Sequence, residues 1–235
     1  MRKIILLSAF IFPLVVFSQI KKAPEVKEGE GPYTQLIIRG VILINGTGAP
    51  PIGPMDIVIE KNRIIQIVGL GNPGAPVNPE KRPKLKDGGK ELNCEGMYAL
   101  PGLIDMHGHI GGKEQGTPAE YVFKLWMAHG ITTIRDPSCG NGLDWVLDEK
   151  QKSAQNLITA PRIFAYTVFG QGAKQPITTV EQTQEWVRDN AKKGADGIKF
   201  FGAPPEVMDA AIRQNKELGL RSCCHHAQMD VARWN

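Results

Sequence analysis

The sequence predicts an α/β protein with a partial (β/α)8 TIM-type barrel of about five βα units, preceded by a small β-sandwich segment. Two β-rich runs interrupted by turn residues lie near the start of the chain. After Met97, short apolar strands alternate with amphipathic helical patterns, which indicates a parallel sheet. The alternation stops after a fifth strand, whereas a closed barrel needs about 250 residues by itself. We therefore expect a truncated barrel, with its boundary to the preceding segment between residues 96 and 97.

The first residues have the pattern of a secretory signal. Arg2 and Lys3 precede the apolar run from Ile4 to Phe17, and Ser18 follows it. This arrangement predicts a signal peptide over residues 1–18 and export to the periplasm or the medium. The apolar run is short for a membrane span, so a retained anchor is the weaker alternative. We expect no membrane anchor once the signal is removed.

Residues 19–96 are expected to form the β-sandwich segment. Residues 35–44 and 56–68 are rich in β-branched residues, and the turn residues at 45–48 and 61–62 favour a small antiparallel sheet with a hairpin. Residues 69–89, rich in Gly, Pro and Lys, predict an exposed loop, and Glu91 to Cys94 predict one more strand. The basic residues at 81–86 lack interleaved aromatic residues, and the net charge is only +4, so nucleic acid is not an expected partner.

Residues 97–235 carry the βα pattern of the barrel. Gly130, Gly194 and Gly219 stand where helices end, and Thr117-Pro118 offers an N-cap followed by proline. The predicted strands are Tyr98 to His107, Thr132 to Asp136, Arg162 to Val168, Gly197 to Phe201 and Leu220 to His225. The predicted helices are Pro118 to His129, Leu143 to Lys152, Val180 to Lys193 and Pro205 to Leu218.

His107 and His109 end the first predicted barrel strand. Residues two apart on a strand share a face, so both imidazoles would emerge at the carboxyl end of the sheet. Imidazole nitrogen suits zinc and other divalent ions, which activate water at a catalytic site. A His-X-His pair alone is also compatible with a surface or packing role. The preceding Pro-Gly-Leu-Ile-Asp after a β-rich segment favours a metal site.

These residues resemble a known family. The segment Ala99 to His109 resembles the first metal motif of the amidohydrolase superfamily, and Gly130 to Asp136 is similar to the second-strand motif of its imidazolonepropionase-like and prolidase-like branch. Gly194 to Lys199 resembles the fourth-strand segment that carries a bridging lysine. Residues 41–69 are similar to the N-terminal sandwich of that branch. The resemblance covers nearly everything after the leader.

The resemblance implies that Lys199 is carboxylated and bridges two divalent ions, as in binuclear members. The metal would be two zinc ions, with manganese, iron or cobalt as alternatives. The residues themselves offer independent support, because an unpaired ammonium at the end of a buried strand is costly and carboxylation turns it into an anionic ligand. The alternative is a lysine paired with a nearby carboxylate.

The fifth predicted strand ends in two adjacent histidines, where the family places another metal ligand. His225 fits the family spacing from Gly219, whereas His226 precedes the alanine that often follows the ligand in relatives. We favour His225. Both cannot face inward if the strand continues, so the other residue would line the loop or contact substrate.

Three further residues were considered for the site. Asp136, a candidate catalytic residue together with Lys199, would contact substrate or orient a ligand; an Asp before Pro is also common in turns. Asp105 would accept a hydrogen bond from an imidazole N–H. His129 lies at a helix end and is interpreted as structural.

The resemblance implies a metal-dependent hydrolase that cleaves amide, cyclic amide or peptide-like C–N bonds in a small-molecule substrate. A lactone or phosphotriester hydrolase and a non-catalytic metal-binding fragment are the alternatives. The family also expects a later histidine and an aspartate, after the sixth and eighth strands, that this sequence does not contain. We therefore expect the chain to be inactive alone. A homo-oligomer is compatible with the sequence.

Overall fold

The computed structural model describes residues 21–27, 30–72, 74, 76–111, 116–138 and 140–225. The predicted signal peptide and His226 lie outside these residues. The chain divides into two compact units. Val26–Leu103 form one unit, and the residues from Ile104 onward form the other together with the residues up to Glu25.

The first unit contains a five-stranded sheet. Its strands are β1 (Leu36–Leu43), β2 (Ile52–Glu60), β3 (Arg63–Gly69), β4 (Lys90–Asn93) and β5 (Tyr98–Ala99). The order is β3-β2-β1-β4, and β5 also pairs with β1. The expected antiparallel sheet is in fact mixed, because β4 and β5 both run parallel to β1. The long connection after β3, which includes a 3₁₀ turn at Pro79–Lys81, carries the chain back to the other edge of β1.

A buried ion pair holds the centre of this sheet. Asp56 on β2 is fully buried, and its carboxylate accepts hydrogen bonds from the Arg39 guanidinium at 2.8 Å and from the Gly40 backbone N–H at 2.9 Å. Arg39 also pairs with Glu91 on β4. Arg39 therefore connects β1 with β2 and β4.

The second sheet is parallel and is covered by helices. Its strands follow one another in chain order from β6 to β10. The β7–β8, β8–β9 and β9–β10 pairs are parallel, as the sequence predicted for a partial barrel. The strands are β6 (Leu103–Asp105), β7 (Ile131–Asp136), β8 (Arg162–Val168), β9 (Gly197–Phe200) and β10 (Arg221–Cys224), and the helices are α1 (Ala119–Ala128), α2 (Leu143–Ala154), α3 (Val180–Lys193) and α4 (Pro205–Glu217).

The helix ends follow local chemistry. Thr179 and Gln182 form a capping box at the start of α3, and Gly194 ends it with a φ of 105°. The expected N-cap Thr117 was wrong, since Pro118 occupies the cap of α1 and makes no side-chain cap hydrogen bond. None of the described helices is both long and apolar enough to cross a bilayer.

The two faces of the parallel sheet differ in chemistry. Ile134, Ile163 and Ile198 are buried on the side that the helices cover. The residues that alternate with them lie on the opposite face, called the inner face below. The strand register places Arg135, Tyr166, Lys199 and Cys223 on the inner face.

Residues 21–24 pack within the second unit, against two of its helices. Ala23 is buried, and its backbone N–H donates to the carboxylate of Glu149 on α2 at 3.2 Å. The Lys21 carbonyl accepts from the backbone N–H of Ala119 at 3.0 Å, and Lys22 pairs with Asp148. This short segment therefore contacts both α1 and α2.

Candidate metal centre

His107 and His109 lie beside each other just after β6. The predicted strand from Tyr98 to His107 was too long, because Pro101-Gly102 separates β5 from β6 and the latter ends at Asp105. The histidines therefore occupy the turn that follows the strand. Their ring centroids are 5.1 Å apart, with an interplanar angle of 73°. The proximity expected of the pair is thus produced by a turn instead of strand periodicity.

Backbone contacts fix this turn. Asp105 accepts a hydrogen bond from the backbone N–H of His107 at 2.9 Å, and the expected bond from an imidazole N–H stays a prediction. The backbone N–H of Gly108 donates to the Arg135 carbonyl on β7 at 3.1 Å. A Cβ at Gly108 would lie 2.8 Å from the Trp126 ring on α1. Only glycine fits between the two histidines without displacing that ring.

Asp136, at the end of β7, orients His109. Its fully buried carboxylate has one oxygen 3.4 Å from Nδ1 of His109. The same oxygen accepts from the backbone N–H of Ser138 at 3.0 Å, and the other accepts from Ile110 at 3.2 Å. Because the Asp136 carboxylate accepts from the His109 imidazole, it raises the pKa of His109 above its ordinary value. Asp136 thus contacts both the turn at Ser138 and the His109 imidazole, and its catalytic role stays a prediction.

Lys199 lies on β9 with only 3% of its surface exposed. Its Nζ is 5.4 Å from the centre of the Phe201 ring. Within the part of the chain that the structure describes, no carboxylate lies within ion-pair distance of this ammonium. The carboxylate-paired alternative therefore finds no partner among those residues.

The charge of Lys199 reaches both histidines. Burial is the largest cause that lowers the pKa of His107, and the positive charge of Lys199 lowers it further. The same charge opposes the rise in the pKa of His109. The ammonium of Lys199 therefore lies close enough for its charge to act on both imidazoles.

His225 directly follows β10. Its backbone N–H donates to the Phe200 carbonyl at 2.8 Å, which extends the ladder between β9 and β10 by one hydrogen bond. Its ring centre is 5.5 Å from that of Phe201, the ring that Lys199 also contacts. Because Cys223 is paired with Lys199 and His225 is two residues further on, an extended backbone places His225 on the inner face.

The chemistry of this donor set fits a divalent metal ion. Two imidazoles lie side by side, one is oriented through Nδ1 by a carboxylate, and a buried lysine lies near them. Among the described residues, no three His, Cys, Asp or Glu side chains lie close enough together to hold an ion. The described part of the site is therefore a two-histidine nucleus with a neighbouring lysine, without a full ligand shell. His129 takes no part, since its Nδ1 contacts the Leu125 carbonyl within α1 at 2.8 Å.

Arg135 and Tyr166 belong to this region but were not predicted from the sequence. The guanidinium carbon of Arg135 lies 5.4 Å from the Tyr166 ring centre, and its charge contributes to the lowered pKa of His107. Arg135 Nε is buried without a hydrogen-bond partner among the described residues. The sequence carries a signal for Arg135, because it lies one residue before Asp136 on β7 and therefore on the opposite face of that strand.

Known proteins with similar sequences are larger enzymes. No protein-family model matches the chain. An adenine deaminase from Paracoccus denitrificans is 33% identical over 221 residues, covering 89% of this chain and 34% of the relative. An adenine deaminase from Methanoculleus marisnigri is 38% identical over 141 residues, covering 56% of this chain and 26% of the relative. The chain thus spans about a third or less of the curated relatives' length.

A solved structure has the same fold. The putative prolidase from Bifidobacterium longum superposes with a TM-score of 0.65 at 20% sequence identity, covering 86% of this chain and 52% of that protein. The parallel sheet with helices, the preceding mixed sheet and these relatives agree with the motifs around His107 and Lys199. The chain belongs to the amidohydrolase superfamily, of which it spans part of the barrel and the segment before it.

Proposed function

We propose that this chain carries the first half of a binuclear metal site in an exported hydrolase that cleaves amide, cyclic amide or peptide-like C–N bonds. The observation that carries the proposal is the pair His107 and His109, 5.1 Å apart, beside a buried Lys199 without a carboxylate partner among the described residues. Adenine deaminases and a prolidase, the similar proteins, carry names that denote C–N hydrolysis. Export rests on the predicted signal peptide at residues 1–18.

His107, His109 and His225 would hold the metal through imidazole nitrogens, and Lys199 would bridge two ions after carboxylation. In that modification the neutral amine attacks the carbon of CO₂. An N–C bond forms, one C=O bond becomes a C–O⁻ bond, and the nitrogen releases a proton to solvent. The product is an anion, which matches the absence of another negative group beside Lys199 in the described structure. Zinc is our first choice because of the imidazole donors.

The remaining residues would prepare the site for hydrolysis. When bound, a divalent ion supplies a Lewis acid and makes water acidic enough to attack near neutral pH. Asp136 fixes the ring orientation of His109, because its oxygen lies at Nδ1 and leaves Nε2 for the metal. Arg135 adds a positive charge to the inner face, where a negative charge develops on a carbonyl oxygen under attack.

Metal analysis tests the proposal. The purified protein, loaded with Zn²⁺ and dialysed, should retain metal, whereas His107→Ala and Lys199→Ala should lose most of it. His129→Ala is the matched histidine control, because the His129 ring contacts the Leu125 carbonyl of its own helix, and Lys192→Ala is the lysine control, with 77% of its side chain exposed. Full metal content in both site variants would refute the assignment.

Two further measurements separate the parts of the proposal. Native mass spectrometry in bicarbonate should show the added mass of one CO₂, and Lys199→Ala should remove it. Activity on dipeptides and cyclic amides should exceed activity on lactones and phosphotriesters. A preference for the latter would reject C–N hydrolysis while leaving the metal site in place.

A further inference from the structure

Two adjacent phenylalanines at the carboxyl end of β9 have opposite environments. Phe200 is fully buried on the side that the helices cover, where its ring stacks on Phe169 with the centroids 5.3 Å apart. Phe201, which directly follows β9, exposes 59% of its surface. Because side chains alternate along a strand, Phe201 lies on the inner face together with Lys199, two residues before it. One phenylalanine therefore belongs to the core and the other does not.

The Phe201 ring contacts two of the proposed metal ligands. Its centre lies 5.4 Å from Nζ of Lys199 and 5.5 Å from the ring centre of His225, with an interplanar angle of 36° between the two rings. Lys199 lies on β9 and His225 follows β10, so the ring lies where two neighbouring strands end. Packing in the core does not explain this ring, since more than half of its surface is open.

The open part of the Phe201 ring borders the proposed metal centre. The carboxyl end of the strands is where βα barrels bind their substrates. A molecule whose reacting carbonyl is held at Lys199 and His225 has its nearest substituents within reach of Phe201, because stacked aromatic rings have their centres about 4.5–7 Å apart. The ring therefore provides an apolar wall beside the bond to be cleaved.

We propose that Phe201 selects substrates that carry an aromatic group next to the C–N bond. This inference rests on the proposed function, because it needs a substrate held at the metal ligands. An aromatic group stacks on the Phe201 ring and gains about 2- to 10-fold in affinity beyond the effect of buried area, whereas an aliphatic group of the same size gains from buried area alone. Phe201 contacts the substrate and takes no part in bond cleavage.

Three hydroxamates test the proposal on the zinc-loaded protein, since a hydroxamate binds zinc through its two oxygens and needs no turnover. Acetohydroxamate has no ring, phenylacetohydroxamate has an aromatic ring, and cyclohexylacetohydroxamate has a saturated ring of similar size. A CH₂ group separates each ring from the zinc-binding oxygens, so the two rings leave the strength of those oxygens as ligands nearly equal. Calorimetric titration should show that phenylacetohydroxamate binds about 2- to 10-fold more tightly than cyclohexylacetohydroxamate.

Variants assign this preference to Phe201. Phe201→Leu keeps an apolar side chain without an aromatic ring and should abolish the preference, while acetohydroxamate binds as before. Phe201→Trp should retain the preference. Phe164→Leu is the matched control and should change none of the three affinities. Phe164 is 42% exposed on the same sheet, but it lies four residues before Val168, the partner of Lys199, and therefore about 13 Å further towards the amino end of β8.

The role of Phe201 can be refuted separately from the metal site. Equal affinities for the two ring-bearing probes, or a preference that survives in Phe201→Leu, would overturn the proposal while leaving the metal site in place. If Phe201 only orients His225, Phe201→Leu will weaken all three probes equally, which also overturns it. A protein that retains no zinc, or whose zinc does not bind acetohydroxamate, would refute the metal site and this inference together. The comparison of the probes on the wild-type protein remains decisive if Phe201→Leu does not fold.

Discussion

Replacing Asp136 by asparagine should weaken metal binding through a residue that is not itself a proposed ligand. The carboxylate accepts three contacts: Ser138 N–H and His109 Nδ1 at one oxygen, and Ile110 N–H at the other. An asparagine keeps the shape but has one acceptor end. Its NH₂ group must therefore face at least one N–H donor in a fully buried site.

The magnitude follows from which contact is lost. The asparagine amide should place its NH₂ group at the Ile110 N–H, because only that one contact is then lost. The opposite orientation would lose the contacts with both Ser138 and His109. One buried backbone N–H is then unpaired, which costs about 1–3 kcal/mol of folding free energy. The contact to His109 survives without its charge. Metal affinity should fall by about 10-fold in Asp136→Asn and by up to about 100-fold in Asp136→Ala, the range found for residues that orient ligands.

Competition with a chromophoric chelator measures the affinity, and urea denaturation of the metal-free protein measures the stability. Asp189→Asn, an exposed aspartate on α3, is the control and should change neither quantity. If Asp136→Asn binds metal like the wild type while His109→Ala does not bind it, the orienting role is wrong. If stability is unchanged, the buried hydrogen bonds are not as described.

Three further predictions concern stability. Phe123→Ala should cost about 3–5 kcal/mol in urea denaturation, since Phe123 is fully buried, and a loss below about 1 kcal/mol would contradict its place in the core. Asp56→Asn should cost roughly 3–5 kcal/mol because it leaves the Arg39 charge without its buried partner, whereas additive losses in Asp56→Leu with Arg39→Met would argue against the pair. Burial raises the pKa of Glu149, so its contribution to stability is fully present below the unfolded pKa of about 4.3 and is lost as pH rises through the folded pKa. Glu149→Gln should therefore be more stable than the wild type at pH 7, with a difference that shrinks near pH 4; equal stability at both pH values would show that burial of this carboxylate is not costly.

The order of strands and helices in the barrel part could be predicted from the sequence, because each strand or helix is set by the hydrophobic pattern and end residues of its own segment. The bounds of α3 and β8 match the prediction, since Thr179 and Gly194 mark the ends of the helix and Arg162 to Val168 form one apolar strand. The first sheet was less predictable. Whether β4 runs parallel or antiparallel to β1 depends on the path of a long loop, and residues 69–89 carry no periodic signal.

The residues of the candidate metal site could be predicted from the sequence, but the contacts between their side chains could not. The sequence order placed His107, His109 and Asp136 at strand ends. The side-by-side imidazoles arise from a turn, and the contact between Asp136 and His109 joins the end of β7 to the turn after β6. Arg135 was overlooked because its importance comes from the inner face it shares with Tyr166, a property of strand register.

The close approach of the Trp126 ring to Gly108 ties helix α1 to the proposed metal site. Any substitution that moves the indole ring, even one chosen to improve the outer layer of the protein, presses on the residue between the two imidazoles. Substitutions on α1 that raise the melting temperature should therefore also be tested for metal retention. A more stable variant with a shifted Trp126 ring would keep its fold while disturbing the proposed metal ligands.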